Sequence, residues 1–162
     1  VLMWLNIVAA RGQSVSEIVH AHWQEYGRHY YSRHDYEAVE SAKAQAVIQT
    51  LEDQLDSLPG QVFAGDTVVQ ADNFAYQDSI DGSVSENQGL RVIFASGSRF
   101  VLRISGTGTV GATLRLYLEK YVPVDGELTA DVQETLQGLA TIADEITKLK
   151  SLTGRESPTA MS

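Results

Sequence analysis

The sequence predicts an α+β fold: a four- to five-stranded antiparallel sheet with helices packed on one face, preceded by one or two helices from the end of the previous domain. Three observations predict it. Residues 90–95, 98–105 and 112–121 alternate apolar and polar side chains, the period of a half-buried strand. Residues 37–58 and 128–149 carry apolar residues at three- to four-residue intervals, the stripe of an amphipathic helix. The resulting order is helix, helix, strand, helix, four strands, helix, the pattern of an antiparallel sheet with segregated helices.

Each element has its own warrant. Val1–Ala10 is apolar nearly all round and is stopped by Arg11-Gly12. It is shorter than the roughly twenty residues a membrane span needs and lacks the basic start of a signal peptide. A helix apolar on every side is normally buried on every side. The expectation is therefore a C-terminal piece of a longer protein, with residues 1–27 as the helical end of the preceding domain and a connector, and 28–162 as the C-terminal domain. Ser14-Val-Ser-Glu17 is a capping box opening a helix to about Tyr26, with Gly27 as its stop. Arg28–Tyr36 is aromatic-rich and predicts a strand. Val39, Ala42, Val47, Leu51, Leu55 and Leu58 trace the next helix, ended by Pro59-Gly60. Strands are expected at 67–76, 90–95, 98–105 and 112–121, with Ser96-Gly97 as a tight turn. Leu128, Val132, Leu136, Leu139, Ile142, Ile146 and Leu149 define a last helix, with Thr129 as its expected N-cap. Residues 154–162 are expected to be a short polar tail.

At 162 residues the chain can bury one substantial core. Its 12 Lys+Arg against 21 Asp+Glu give a net charge of −9, which argues against nucleic acid and anionic membranes as partners. The absence of cysteine excludes disulfides and zinc–thiolate sites and suits a cytoplasmic protein.

The most informative segment is Ser105-Gly-Thr-Gly-Thr-Val-Gly-Ala-Thr-Leu-Arg115-Leu116. Gly106, Gly108 and Gly111 have G-x-G-x-x-G spacing, hydroxyls lie between them, and Arg103 and Arg115 flank them. Glycines let successive N–H groups approach an anion, hydroxyls add donors, and guanidinium groups pair phosphate oxygens bidentately. A dinucleotide fingerprint would need a helix after Gly111, but residues 112–119 alternate with period two. A kinase loop would need H-R-D and D-F-G downstream, and neither occurs. The segment therefore joins two antiparallel strands. It is either a phosphate grip or a glycine-rich hairpin that binds nothing. Arg103 and Arg115 share the parity of the polar residues of their strands, so both project from the polar face, which favours the grip.

The other candidates are weaker. His20 and His22 diverge on a helix, His29 and His34 point to opposite faces of a strand, and all four are expected to be ordinary surface histidines. Asp78–Glu86 does not match an EF-hand, because Gln77, Ser79 and Gln88 fall where acids are required; Asp81-Gly82 is expected at the tip of a turn. The aromatic cluster Trp23, Tyr26, Tyr30, Tyr31 and Tyr36 is expected in the core. No nucleophile–base–orienter set and no metal motif is present.

With these residues in view, Arg103-Ile-Ser-Gly-Thr-Gly-Thr-Val-Gly-Ala-Thr-Leu-Arg115 resembles the phosphate-binding loop in the last domain of the phosphoglucomutase family, within the α-D-phosphohexomutase superfamily. His22–Arg28, Ser32-Arg-His-Asp-Tyr-Glu37, Ala71–Phe74, Asp81–Ser85, Asn87-Gln-Gly-Leu-Arg91 and Thr153-Gly-Arg155 are similar to that family in the same order. The resemblance covers essentially the whole chain and favours the glucose-specific branch. It implies a four-domain isomerase of carbohydrate metabolism, interconverting glucose 1-phosphate and glucose 6-phosphate through glucose 1,6-bisphosphate. Upstream domains of the same polypeptide would supply a phosphoserine and a Mg²⁺ loop, and this domain would clamp the phosphate that is not being transferred. Neither the T-A-S-H-N phosphoserine motif nor the D-G-D-G-D metal loop occurs here. No catalytic residue is therefore expected in this chain, and alone it is expected to be inactive. The resemblance implies that Arg103, Ser105, Thr107 and Arg115 contact the substrate phosphate through side chains and that Gly106 and Gly108 present backbone donors. A stand-alone phosphoprotein- or phosphosugar-binding module remains the alternative.

Overall fold

The structure is a computed structural model that describes residues 1–108 and 111–162; of Thr107 and Gly108 only the backbone is described. Two helices lead in: α1 (Leu2–Arg11) and α2 (Val15–Tyr26). The Ser14 hydroxyl accepts from the Glu17 N–H while the Glu17 carboxylate accepts from the Ser14 N–H, so the expected capping box is formed. Gly27 ends α2 at φ +80, where a Cβ would come within 2.5 Å of the Tyr121 hydroxyl, so only glycine fits.

The core is a seven-stranded antiparallel sheet in the order β2-β3-β6-β7-β8-β1-β9, larger than the four to five strands expected. Its strands are β1 (Arg28–Val39), β2 (Val62–Phe63), β3 (Asp66–Asn73), β6 (Leu90–Phe94), β7 (Arg99–Gly108), β8 (Gly111–Val122) and β9 (Ala160–Met161). A separate two-stranded ribbon, β4 (Tyr76–Gln77) with β5 (Val84–Ser85), carries Asp81-Gly82 at its turn as expected. There Asp78 Oδ1 accepts from the Ile80 N–H at 2.7 Å and Asp81 Oδ1 from the Ser83 N–H at 2.8 Å. The extra strands are two residues long and carry no period of their own; pairing alone creates them.

Alternation sorts the sheet into two faces. Phe100 and Leu102 of β7, Leu114, Leu116 and Leu118 of β8, and Val92 and Phe94 of β6 are buried beneath α3 (Ser41–Glu52) and α4 (Val132–Thr147), on which α5 (Leu149–Thr153) packs. Among the described residues no helix packs on the opposite face, matching the expected single helical layer.

Several boundaries differ from expectation. Helix α3 is shorter than 37–58 at both ends: β1 continues to Val39, with Ala38 at φ +51 marking its bulge, and the helix stops at Glu52, with turns following to residue 57. The last helix begins at Val132, capped by Asp131 and not Thr129: Asp131 Oδ1 accepts from the N–H groups of Gln133 and Glu134 at 2.8 and 3.0 Å. Lys148 at φ +55 splits it into α4 and α5. The polar tail is also ordered differently, since Ala160 and Met161 add β9 to the outer edge of β1 opposite Asp35 and His34. Strand β7 runs on to Gly108 and β8 starts at Gly111, so most of the glycine-rich segment is strand backbone, with only Thr109 and Val110 between the paired glycines and outside the described residues.

Candidate phosphate site

Register fixes the site. In the β7–β8 ladder Arg103 lies directly opposite Arg115, as their parity predicted, and Ser105 lies opposite Thr113. Gly106, at φ +74, is the extra residue between Ser105 and Thr107, a bulge that bends the end of the hairpin. Gly111, at φ +110, passes so close to β1 that a Cβ would stand 2.9 Å from the Val39 carbonyl oxygen. This close approach anchors the hairpin against the neighbouring strand.

The helix-free face of the sheet holds five arginines, and what each one touches separates them. Arg91 forks onto Asp72, with Nε donating to Oδ1 at 3.0 Å and Nη2 to Oδ2 at 2.7 Å, and lies 5.1 Å from the Phe74 ring centroid. Arg99 donates through Nε to Glu119 at 2.8 Å, and Glu119 also meets His29 at 2.8 Å. Arg33 and Arg115 flank Asp35, with Nε atoms 2.9 and 3.7 Å from Oδ1. Arg103 is exposed and makes no ion pair among the described residues. Two like charges facing each other across a ladder repel by roughly 0.2–1 kcal/mol, so the Arg103–Arg115 pair is a standing cost that an anion would relieve.

A hollow of about 650 Å³ opens on this face, lined among others by Arg33, Arg103, Tyr31, Tyr117 and the paired Arg91 and Arg99. The Arg103 stem passes beside Gly89, where a Cβ would meet its Cγ at 2.7 Å; glycine there makes room for the arginine. Of the residues expected at the site, Arg103, Ser105, Gly106 and Arg115 stand on one side of the hairpin or in its backbone. The side chain of Thr107, and anything Gly108 contributes beyond its backbone, lie outside the described residues.

The remaining candidates sort as follows. Tyr30 and Tyr36 are buried, but Tyr26 and Tyr31 are exposed, so the aromatic cluster is only partly core. Arg28 is sandwiched between Trp23 and Tyr30, 4.0 and 3.9 Å from their centroids. His29 and His34 do point to opposite faces, yet His34 is buried and not a surface residue; its Nε2 contacts Gln133 Oε1 at 2.9 Å, and Gln133 Nε2 donates to the Ser32 hydroxyl at 2.9 Å. Among the described residues no three His, Cys, Asp or Glu side chains gather as they would around a metal ion. No described helix is long and apolar enough to cross a membrane.

The Asp72–Arg91 pair makes a pH prediction. The hydrogen bonds from Arg91, aided by Gln70, hold the Asp72 carboxyl below its ordinary 3.8 against the opposing effect of partial burial. A lowered folded value means the stability it contributes is complete above the ordinary value and is lost as pH falls through the folded one. Thermal melts of the wild type and Asp72→Asn should differ at pH 7 and converge in strong acid.

Comparison with known proteins adds the family. Residues 28–159 match the family described as phosphoglucomutase-1, C-terminal domain. The chain is 52% identical over 161 residues to a phosphoglucomutase of Rhizobium radiobacter and 46% identical over 167 residues to phosphoglucomutase-1 of Homo sapiens, covering 99% of this chain each time. It spans about 30% of the length of these relatives. The open-form crystal structure of pp63/parafusin, a phosphoglucomutase from Paramecium, superposes with a TM-score of 0.84 at 38% identity over 98% of this chain and 28% of that one.

Proposed function

The chain belongs to the phosphoglucomutase-1 C-terminal domain family, an isomerase family, and on that premise we propose that it is the phosphate-clamp domain of a longer enzyme interconverting glucose 1-phosphate and glucose 6-phosphate through glucose 1,6-bisphosphate. In this reading the clamp is Arg103, Ser105, Gly106, Thr107, Gly108 and Arg115. The observation that carries it is the direct cross-strand pairing of Arg103 with Arg115 beside the Gly106 bulge, on a chain of net charge −9. Two guanidinium forks side by side match the oxygens of a phosphate dianion, and the Ser105 hydroxyl and bulged backbone add neutral donors.

The division of labour follows from what this chain contains. It holds the phosphate that does not react, and that binding energy orients the other end of the sugar toward groups supplied by the upstream domains. Those domains would bring the phosphoryl donor and Mg²⁺. A site that reads only the phosphate accepts the bisphosphate in either orientation, which an intermediate that must turn around requires. In the same reading residues 1–27 are the end of the preceding domain and a connector. Supporting this, the family match starts at residue 28, and α1 buries none of its residues, leaving Leu2, Met3 and Leu5 between 59 and 77% exposed. A cytoplasmic location fits this chemistry.

Calorimetric titration of the chain tests the clamp. Inorganic phosphate and glucose 1-phosphate are both expected to bind, and free glucose is not. Binding of glucose without phosphate dependence would remove the clamp reading.

A further inference from the structure

We propose that Asp35 is a positioning residue of this phosphate site: it holds Arg33 and Arg115 by their Nε atoms and leaves the outer nitrogens of both for a phosphomonoester dianion. Arg33 thereby becomes a third anion-binding arginine beside Arg103 and Arg115. The proposal rests on the clamp reading and adds two residues to it.

The ladder puts these groups together. Asp35 of β1 lies opposite Arg115 of β8, which lies opposite Arg103 of β7, so the three form one row across the helix-free face. Arg33, two positions earlier on β1, shares that face and stands diagonal to Arg115. Asp35 is only 5% exposed. The last strand lies along its backbone: Ala160 pairs with Asp35, and the Thr159 N–H donates to the Asp35 carbonyl at 2.7 Å. A carboxylate so enclosed is costly unless cations flank it, and Arg33 and Arg115 do, at 2.9 and 3.7 Å from Oδ1.

Neither contact is an aligned hydrogen bond; Oδ1 and both Nε atoms lack one. Asp35 therefore holds the two guanidiniums by charge without occupying their forks. Each arginine keeps two terminal nitrogens that make no hydrogen bond to another described residue, the pair that suits a phosphate. One carboxylate also cannot neutralise Arg33, Arg115 and the adjacent Arg103, so the row stays positive. Arg33 and Arg103 line the same hollow, and an anion entering it meets both.

The test is calorimetry of inorganic phosphate binding to this chain, because charge and positioning predict opposite signs. Removing a negative charge beside an anion site should tighten phosphate by Coulomb's law alone. Positioning predicts instead that Asp35→Asn weakens phosphate by about tenfold, the scale of one charge-assisted hydrogen bond, and that Asp35→Glu recovers part of it. In an Arg115→Lys background, which has no Nε to hold, the effect of Asp35→Asn should shrink to about twofold or less. Arg33→Lys, which keeps charge but loses the fork, should weaken phosphate several-fold.

Equal or tighter binding by a folded Asp35→Asn overturns the proposal. If thermal melting shows that variant unfolded, Arg33→Lys and Arg33→Ala decide, and unchanged affinity in both overturns it. A wild-type chain that does not bind phosphate brings down the clamp reading and this proposal together. A wild type that binds, with Asp35→Asn unaffected, brings down only the proposal.

Discussion

Arg103→Ala is expected to weaken phosphate binding by about ten- to a hundredfold while leaving the melting temperature unchanged or slightly raised. The binding loss follows from charge-assisted hydrogen bonds contributing roughly 1.5–3 kcal/mol at about 1.4 kcal/mol per decade. The stability effect has the opposite sign because Arg103 has no acidic partner among the described residues and faces Arg115 across the ladder. Removing one of two like charges in that geometry relieves repulsion of a few tenths of a kcal/mol. A residue kept for folding would not behave this way. Arg91→Ala supplies the contrast: its guanidinium is committed to Asp72, so that variant should lose up to about 1 kcal/mol of stability, as exposed pairs do, with phosphate affinity little changed. Calorimetry and thermal melts on the two variants separate the roles. Arg115→Ala should combine both losses, since Arg115 is a half-exposed partner of Asp35 and not the freely exposed arginine its strand parity alone suggests.

Leu114→Ala is the largest expected stability loss on the same strand. Leu114 is completely buried between Thr113 and Arg115, pointing into the core while its neighbours face outward. Truncating a fully buried leucine removes its transfer free energy and leaves a cavity, together about 2–5 kcal/mol. For a domain of this size that amounts to a fall in melting temperature of roughly 4–20 °C. A change below about 1 kcal/mol in a denaturant titration would mean that β8 is not held as described. With Arg103→Ala, this variant tests whether alternation divides the hairpin into a folding face and a binding face.

Alternation is also why so much was legible in the sequence. Period two in residues 98–105 and 112–121 identifies a hairpin, and a hairpin puts Arg103 and Arg115 on one face. Side-chain chemistry likewise marks the Ser14 cap and the Asp81-Gly82 turn, because both are made within a few residues of chain. What stayed hidden depends on distant pairing. Asp35 meets Arg115 only because β1 pairs with β8, eighty residues on, and nothing in Ser32-Arg-His-Asp35 announces that partner. Gly89 looks like an ordinary turn glycine until the Arg103 stem is seen against it. Strand β9 is two residues that become a strand only by lying on β1. The break at Lys148, a non-glycine residue at φ +55, and the choice of Asp131 over Thr129 as cap are details that helical periodicity does not specify.

The central claim is that the Arg103–Arg115 face of the hairpin binds phosphate. The most direct measurement is a ¹H–¹⁵N correlation spectrum of the labelled chain during titration with inorganic phosphate at constant ionic strength. Saturable shifts are expected, concentrated in residues 103–108 and 111–115 and in Arg33 and Asp35, with α1 and the β4–β5 ribbon unmoved. Shifts that do not saturate, or that centre away from the hairpin, would contradict it.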